Sequence, residues 1–477
     1  MLNRFNQVKL SSVGSKNIFD LFKKFRLESI LSQSKIVKQK GHQISEMLFF
    51  FLIIILENSN SVFSGVVRNN SSHLKTPIND MLNNPHYNWR NLLYRIVKRF
   101  SQLCSASKLE DCSLIFDDTS KVKTGHKTQN ISWFYDHSKD RYFKGYQNIT
   151  SAWSNGKQTI PFDFELKIGK KRTKHSRKAK YPVASHTAQR VRFAKQEKID
   201  IVIQMIKRAK QRKIPFKYIL WDSWFNSSKS FSFVFEKLVP AGKVLISLLK
   251  NGTQKYKYGE RFMNLKALYC KAGKWTLDPI SGIKYKSIEI ELLNVSSSKK
   301  VEERTVIGKV KVCFFKYPNV KKWKAIISTD TNLSEIEVLK IYLRRWSIEC
   351  IFKEIRQYFG YDQSKSSNYA AMVADLTIRY VFYTMFCFRK EMSNNEPMGQ
   401  VVLKFYQELF DMWLSVFVKM MFVRYAKDFV DYAIELGYTD LLDLRKNIDK
   451  LLRAFFEREA WIDKITEADN KQLRKSA

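Results

Sequence analysis

Residues 113–120 read SLIFDDTS. The apolar run is too short for a helix and closes on two carboxylates, as a buried strand that ends at a polar edge does. Before it the chain has helical period. Residues 15–33 and 45–57 read as helices, the second capped by Ser45. Residues 88–104 place Trp89, Leu92, Leu93, Ile96, Val97 and Phe100 on one stripe, with Arg90, Arg95, Lys98 and Arg99 mostly off it. After Ser120 the period changes. Residues 141–153 (RYFKGYQNITSAW) and 158–166 (QTIPFDFEL) read as strands joined through Asn155-Gly156, so three successive strands are expected to pair antiparallel. A helix over 187–212 follows and Pro215 breaks it. The strand YILW (218–221) ends at Asp222, a helix comes next, and 244–249 is a further strand.

Three strands, helix, strand, helix, strand is the order of a ribonuclease-H-like core. By analogy with that fold the first and fourth strands lie side by side, which would bring Asp117 and Asp222 together. The fold class expected is α/β: such a core, interrupted by a β-rich insertion, with helical N- and C-terminal regions. The domains expected are a basic helical DNA-binding region over 1–105, the core over 106–250 and 323–390, the insertion over 251–322, and a helical region over 391–477 suited to dimerisation. Residues 323–328 (WKAIIS) return to the core as a strand.

The balance of charge points to a partner. The chain has 477 residues, 84 basic and 45 acidic, for a formal charge of +39 spread from end to end. Such a surface repels itself unless a polyanion is near, and nucleic acid is the expected one. With 44% hydrophobic and 14% aromatic residues the chain can bury large cores, which excludes a disordered tail. The longest apolar run, Met47 to Leu56, is too short to cross a bilayer and is closed by Glu46 and Glu57, so no membrane partner is expected. The first 30 residues carry no signal-peptide pattern. The six cysteines form no Cys-x-x-Cys pair and the seven histidines no His-x-x-x-His spacing. A reduced, cytoplasmic chain follows, in which any metal sits on carboxylates.

Residues 341–358 (IYLRRWSIECIFKEIRQY) carry a third acid. At about 100° per residue, Ile348, Ile351, Phe352, Ile355 and Phe359 fall on one side. Tyr342, Arg345, Glu349, Lys353 and Arg356 fall on a neighbouring one. This second face suits a solvated helix with Glu-Lys pairs. It also suits an acid that holds a metal among cations that hold phosphates. Asp117, Asp222 and Glu349 together would suit two-metal phosphodiester chemistry, because hard Mg²⁺ prefers oxygen ligands on rigid supports. Singly, Asp117 or Asp118 also suits a turn cap, and Asp222 a helix N-cap. The basic loop 167–180, with Lys170, Lys171 and Arg172, reads as a phosphate contact without base specificity.

These motifs resemble a known family. Tyr342-x-x-Arg345-x-x-x-Glu349-(six)-Arg356 is similar to the Y-R-E-K signature of DDE transposases of the insertion-sequence-4 family. Asp117-x-Thr119-Ser120 resembles the family's first-aspartate motif, and Trp221-Asp222-Ser223-Trp224-Phe225 its second. The resemblance covers roughly residues 110–360. It implies a bacterial cut-and-paste transposase, cytoplasmic and nucleoid-associated when bound. Asp117, Asp222 and Glu349 would be catalytic and hold two Mg²⁺ ions, with Mn²⁺ able to substitute. The partners implied are the element's terminal inverted repeats, target DNA and a second copy of the chain. Tyr342 and Arg345 would contact DNA near the scissile phosphate, and Trp346 matches a position that steadies a flipped base in some relatives. Trp323 sits near where the insertion-domain tryptophan of such relatives lies. Arg356 stands where the signature has lysine, so a planar guanidinium replaces an ammonium, and Lys353 one turn earlier is placed to share its role. Asp118 is the alternative first aspartate, although Asp117 keeps the Asp-x-Thr spacing. A ribonuclease-H-like nuclease without strand transfer and an inactive DNA-binding relative are the rival readings.

Overall fold

The computed structural model describes residues 16–38, 40–57, 61–68, 74–104, 112–125, 127–136, 140–170, 173, 176–178, 180–294, 303–393, 395–448 and 451. The chain divides into two units, Met1–Leu27 with Asn395–Ala477, and Glu28–Asn394. In the first, the described residues form helices α1 (Lys16–Phe25) and α14 (Met398–Glu435).

The second unit starts in α2 (Leu27–Gln33) and continues through α3 (Ile44–Leu56), α4 (Val62–Arg68), α5 (Lys75–Asn83) and α6 (Trp89–Leu103). The sheet follows with β1 (Ser113–Val122), β2 (Ser132–Asp136), β3 (Arg141–Ser154) and β4 (Thr159–Lys167). Then come α7 (His186–Ala194), α8 (Lys198–Gln211), β5 (Tyr218–Trp221), α9 (Ser228–Lys237) and β6 (Val244–Leu249). Strands β7 (Lys255–Tyr258) and β8 (Arg261–Asn264), helix α10 (Leu265–Lys271), and strands β9 (Thr276–Leu277), β10 (Lys284–Leu293), β11 (Val306–Lys316) and β12 (Lys324–Ser328) come next. The unit ends in α11 (Glu335–Leu343), α12 (Ser347–Tyr358) and α13 (Tyr369–Met392).

Among the described residues, twelve strands join one mixed sheet in the order β2-β3-β1-β5-β6-β12-β11-β10-β7-β8, with β4 also on β3 and β9 on β10. The expected antiparallel start is present as β1 on β3 and β3 on β4. β1 and β5 lie side by side and parallel, as do β5 and β6. A short strand, β2, was not expected. Gly145 lets β3 approach β1 closely, since a Cβ there would stand 2.1 Å from the Lys121 carbonyl oxygen.

Four details were not foreseen in the sequence. The strands of 251–322 form no sheet of their own, because β11 pairs β12 and β12 pairs β6, which extends the core sheet. From Glu28 onward, the residues expected in a separate N-terminal region fall in the same unit as that sheet. There α6 lies on β4 and α13. Its predicted stripe is buried, and Phe100 meets Trp153 and Phe388 edge-on at 6.3 and 6.4 Å. The helix expected over 187–212 is two, α7 and α8. Smaller still, α3 begins at Ile44 with Gln43 as its cap, and Ser45 instead bonds Glu28.

Helix α13 is long and apolar enough to cross a bilayer, yet its apolar window is wholly buried. Its polar groups find partners there. Asp375 pairs with Arg379 at 2.8 Å, and the Tyr380 hydroxyl contacts Asn148 and Thr150 of β3 at 3.0 and 3.1 Å. A core helix that carries such groups is stable only when each is matched.

Candidate active site

Strand β1 carries Asp117 and Asp118 at its middle. Its first residues are buried and the strand becomes half-exposed from Asp117. Side chains alternate along a strand, and the two aspartates accordingly meet different partners. Asp118 pairs with Lys198, at the start of α8, and accepts from Gln147 of β3 at 2.6 Å. Asp117 meets Arg345, whose Nη1 lies 3.0 Å away. Burial, then the charge of Asp118, push the Asp117 carboxyl up to about 7, with Arg345 opposing and Glu349 adding to the rise.

Asp222 follows β5. The parallel register sets Phe116 beside Trp221, so Asp117 and Asp222 each come directly after a paired residue. The Asp222 side chain accepts from the Ser223 N–H at 2.5 Å and caps the short turn Ser223–Phe225. The cap role and the place beside Asp117 are therefore both realised by one residue.

Glu349 stands in the first turn of α12. The helix expected to run unbroken through 341–358 is interrupted. α11, capped by Ser334, ends at Leu343, and Arg344–Trp346 forms a tighter turn before α12. The Ser347 hydroxyl donates to the Arg344 carbonyl at 2.7 Å, a local bond that competes with regular helix. Ile348, Ile351, Phe352, Ile355 and Phe359 are buried as the spacing predicts. Gly360, at φ +59°, then turns the chain away, where a side chain would strike Gln363 and Arg379.

Arg345 joins the pieces. Its Nη2 donates to Glu349 at 2.6 Å while Nη1 holds Asp117, so one guanidinium bridges β1 and α12. Burial works against the Arg345 charge, and Tyr342, Glu349 and Asp117 more than offset it. Tyr342 lies near Arg345, and burial, against that cation, pushes its hydroxyl up to about 12. Arg356 donates to Thr119 at 2.6 Å and to Asp362 at 3.1 Å, tying α12 to β1 two residues past Asp117.

A cleft of about 1290 Å³ is lined by Asp117, Asp118, Asp222, Trp224, Lys198 and Arg356, with Lys123, Lys127 and Lys365 among its other walls. Trp346 is 61% exposed and Lys353 is exposed. Trp323 lies just before β12, which pairs with β6; its ring stacks on Tyr269 at 4.8 Å and meets Phe314 edge-on. Lys170 pairs with Glu197 at 2.9 Å. Lys171 and Arg172 lie outside the described residues. Lys198 and Gln147 were missed in the sequence, where nothing tied them to an aspartate far away along the chain.

The donors suit a hard divalent ion in kind. Burial, with Asp118 and Glu349 nearby, disfavours the charged form of Asp117, and a bound cation would favour it. In the arrangement seen, the Arg345 guanidinium stands between Asp117 and Glu349. Among the described residues no three carboxylates, histidines or cysteines are grouped closely enough to hold one ion.

No curated protein matches the chain. Residues 64–241 match the family model described as DDE superfamily endonuclease, a span that holds β1 with Asp117 and β5 with Asp222 and ends before Glu349. That match fits a ribonuclease-H-like core in the mixed sheet and supports a DDE transposase-like, nucleic-acid-cleaving enzyme.

Proposed function

We propose that this protein is a cut-and-paste DDE transposase of the insertion-sequence-4 type, acting on the terminal inverted repeats of its element and on target DNA. One observation carries the reading. Asp117 and Asp222 follow paired residues on neighbouring parallel strands, and Glu349 is joined to Asp117 through Arg345. Asp117, Asp222 and Glu349 would hold Mg²⁺, with Mn²⁺ as a substitute. When bound, the two ions supply Lewis-acid activation of the attacking oxygen and charge compensation at the phosphate.

The chain's own residues do the rest. Tyr342, Arg345, Lys353 and Arg356 position the phosphates and offset developing negative charge. The cleft lysines hold the backbone on either side without reading bases. Water attacks the scissile phosphorus and the bond to the 3′ oxygen breaks, leaving a 3′-hydroxyl and a 5′-phosphate. That hydroxyl then attacks a phosphodiester of the opposite strand, which closes a hairpin and releases the flanking DNA; a second water opens the hairpin and restores the 3′-hydroxyl, which attacks a target phosphodiester and releases a target 3′-hydroxyl. The protein works as a homodimer in the cytoplasm, on nucleoid DNA.

The test supplies the full-length protein with pre-nicked element ends, target plasmid and Mg²⁺. Joined product is expected. Cutting of intact ends without any joining would instead mark a nuclease of the same fold. Failure to bind Mg²⁺ or Mn²⁺ by calorimetry would mark a DNA-binding relative without catalysis.

A further inference from the structure

At the other end of α8 from Lys198, about 15 Å along the helix, charge is buried with an excess of arginine. Asp163 and Glu165 alternate on β4 and so share one face. Both side chains are 0% exposed. Arg90 of α6 donates to Asp163 at 3.2 Å and pairs with Glu165. Arg208 of α8 reaches Asp163 at 2.8 Å, and Tyr94 donates to the same carboxylate at 2.5 Å.

The third arginine is less well served. Arg190 of α7, 4% exposed, stands 3.8 Å from Asp163 and 3.9 Å from Glu165, beyond good hydrogen bonds. It donates through Nη2 to the Phe164 carbonyl at 2.8 Å. Its Nε and Nη1, Nη1 of Arg208, and the indole N–H of Trp89 have no acceptor. Burial, then the charge of Arg90, push the Arg190 pKa down. Three guanidinium groups thus face two carboxylates.

Beside them opens a cavity of about 190 Å³, lined by Trp89, Arg90, His186, Arg190, Arg208 and Arg212 among others, while neither acid lines it. It is smaller than the roughly 300–1,000 Å³ of sites for drug-sized ligands. A water molecule can satisfy an N–H but leaves the surplus charge in place. A tetrahedral oxyanion answers both needs, because its oxygens match the forked donors of guanidinium.

We propose that this cavity binds a small oxyanion of the phosphate class, as free phosphate or as a nucleic-acid backbone phosphate. The proposal does not rest on the carboxylate site. Full-length protein is titrated with inorganic phosphate by calorimetry, and its thermal unfolding is followed in phosphate and in chloride at matched pH and ionic strength. Saturable binding and a phosphate-specific rise in Tm are expected. Arg212 is exposed, so Arg212→Gln should fold normally in chloride and bind phosphate roughly tenfold or more weakly. Lys266→Gln, at an exposed position outside the cavity, should keep the full shift. A duplex titration with and without phosphate then separates the sources: competition assigns a backbone phosphate and independent binding a free anion, and either result keeps the site. Equal Tm in phosphate and chloride, or an undiminished shift in Arg212→Gln, would overturn it.

Discussion

Two aspartates on one sheet live in opposite surroundings. Asp117 lines the cleft with Asp118 and Asp222 and has Arg345 as its cation; burial, then the charge of Asp118, push its carboxyl up to about 7. Asp163 is fully buried among Arg90, Arg190 and Arg208. Burial opposes its charge there, but Arg208, Arg90 and Arg190 more than offset that and hold it down at about 2. Helix α8 touches both sites, through Lys198 at one end and Arg208 at the other. The difference teaches that burial alone does not set the protonation state. Neighbouring charge decides whether the effect of burial stands, as at Asp117, or is overridden, as at Asp163.

The comparison can be broken most sharply at Glu349. Glu349→Ala should lower cleavage of element ends by roughly 10²–10³-fold or more, while circular dichroism and Tm stay close to those of the parent, because this side chain is 34% exposed. Full cleavage by that variant in Mg²⁺ would remove the acid site from the argument. Asp163→Asn should act on the fold instead. It leaves buried arginines without their counter-charge, at a cost of about 3–5 kcal/mol, readable by urea titration. An unchanged midpoint would show that the arginine cluster does not need its acid.

The pH profiles sharpen the contrast. The Asp117 pKa is raised on folding, so the folded chain binds more protons than the unfolded one between about pH 4 and 7, and stability falls as pH rises through that window. Asp117→Asn should gain on the parent across the same range and hold a constant advantage above it. A flat or reversed difference in Tm would contradict a carboxyl raised by burial and by Asp118. Asp163 behaves in the opposite sense: its contribution is complete above about pH 4 and is lost as pH falls toward 2. The smallest effect is expected at Lys170, whose side chain is 88% exposed. Lys170→Ala should leave Tm unchanged and reduce the slope of log affinity for DNA against log salt by about 1. A larger loss confined to one DNA sequence would mean that this lysine reads bases.

Much of the acid site was legible because its carriers are short-range. SLIF and YILW are apolar runs that stop at an aspartate, and the stripe of Ile348, Ile351, Phe352, Ile355 and Phe359 has helical period. The tight turn at Arg344–Trp346 was not legible, since neither Gly nor Pro marks it and a serine hydroxyl makes it. Residues 251–322 were read as an insertion with strands, yet their place in the core sheet depends on β12 meeting β6, a pairing that no local pattern encodes. The arginine cluster left one faint signal: two acids, Asp163 and Glu165, alternate within an otherwise apolar strand. Arg90, Arg190 and Arg208 themselves look like ordinary surface cations on amphipathic helices.

By itself the sequence determined which residues carry charge, which segments form strands or helices, and where each apolar run ends. Those properties depend on backbone periodicity and side-chain chemistry within a few residues. Only the tertiary structure decided which carboxylate meets Arg345, which meets Lys198 and which lies among three arginines. Electrostatic environment is a matter of distance in space, and residues such as Asp117 and Glu349, or Arg90 and Arg208, become neighbours only once the sheet has brought their elements together.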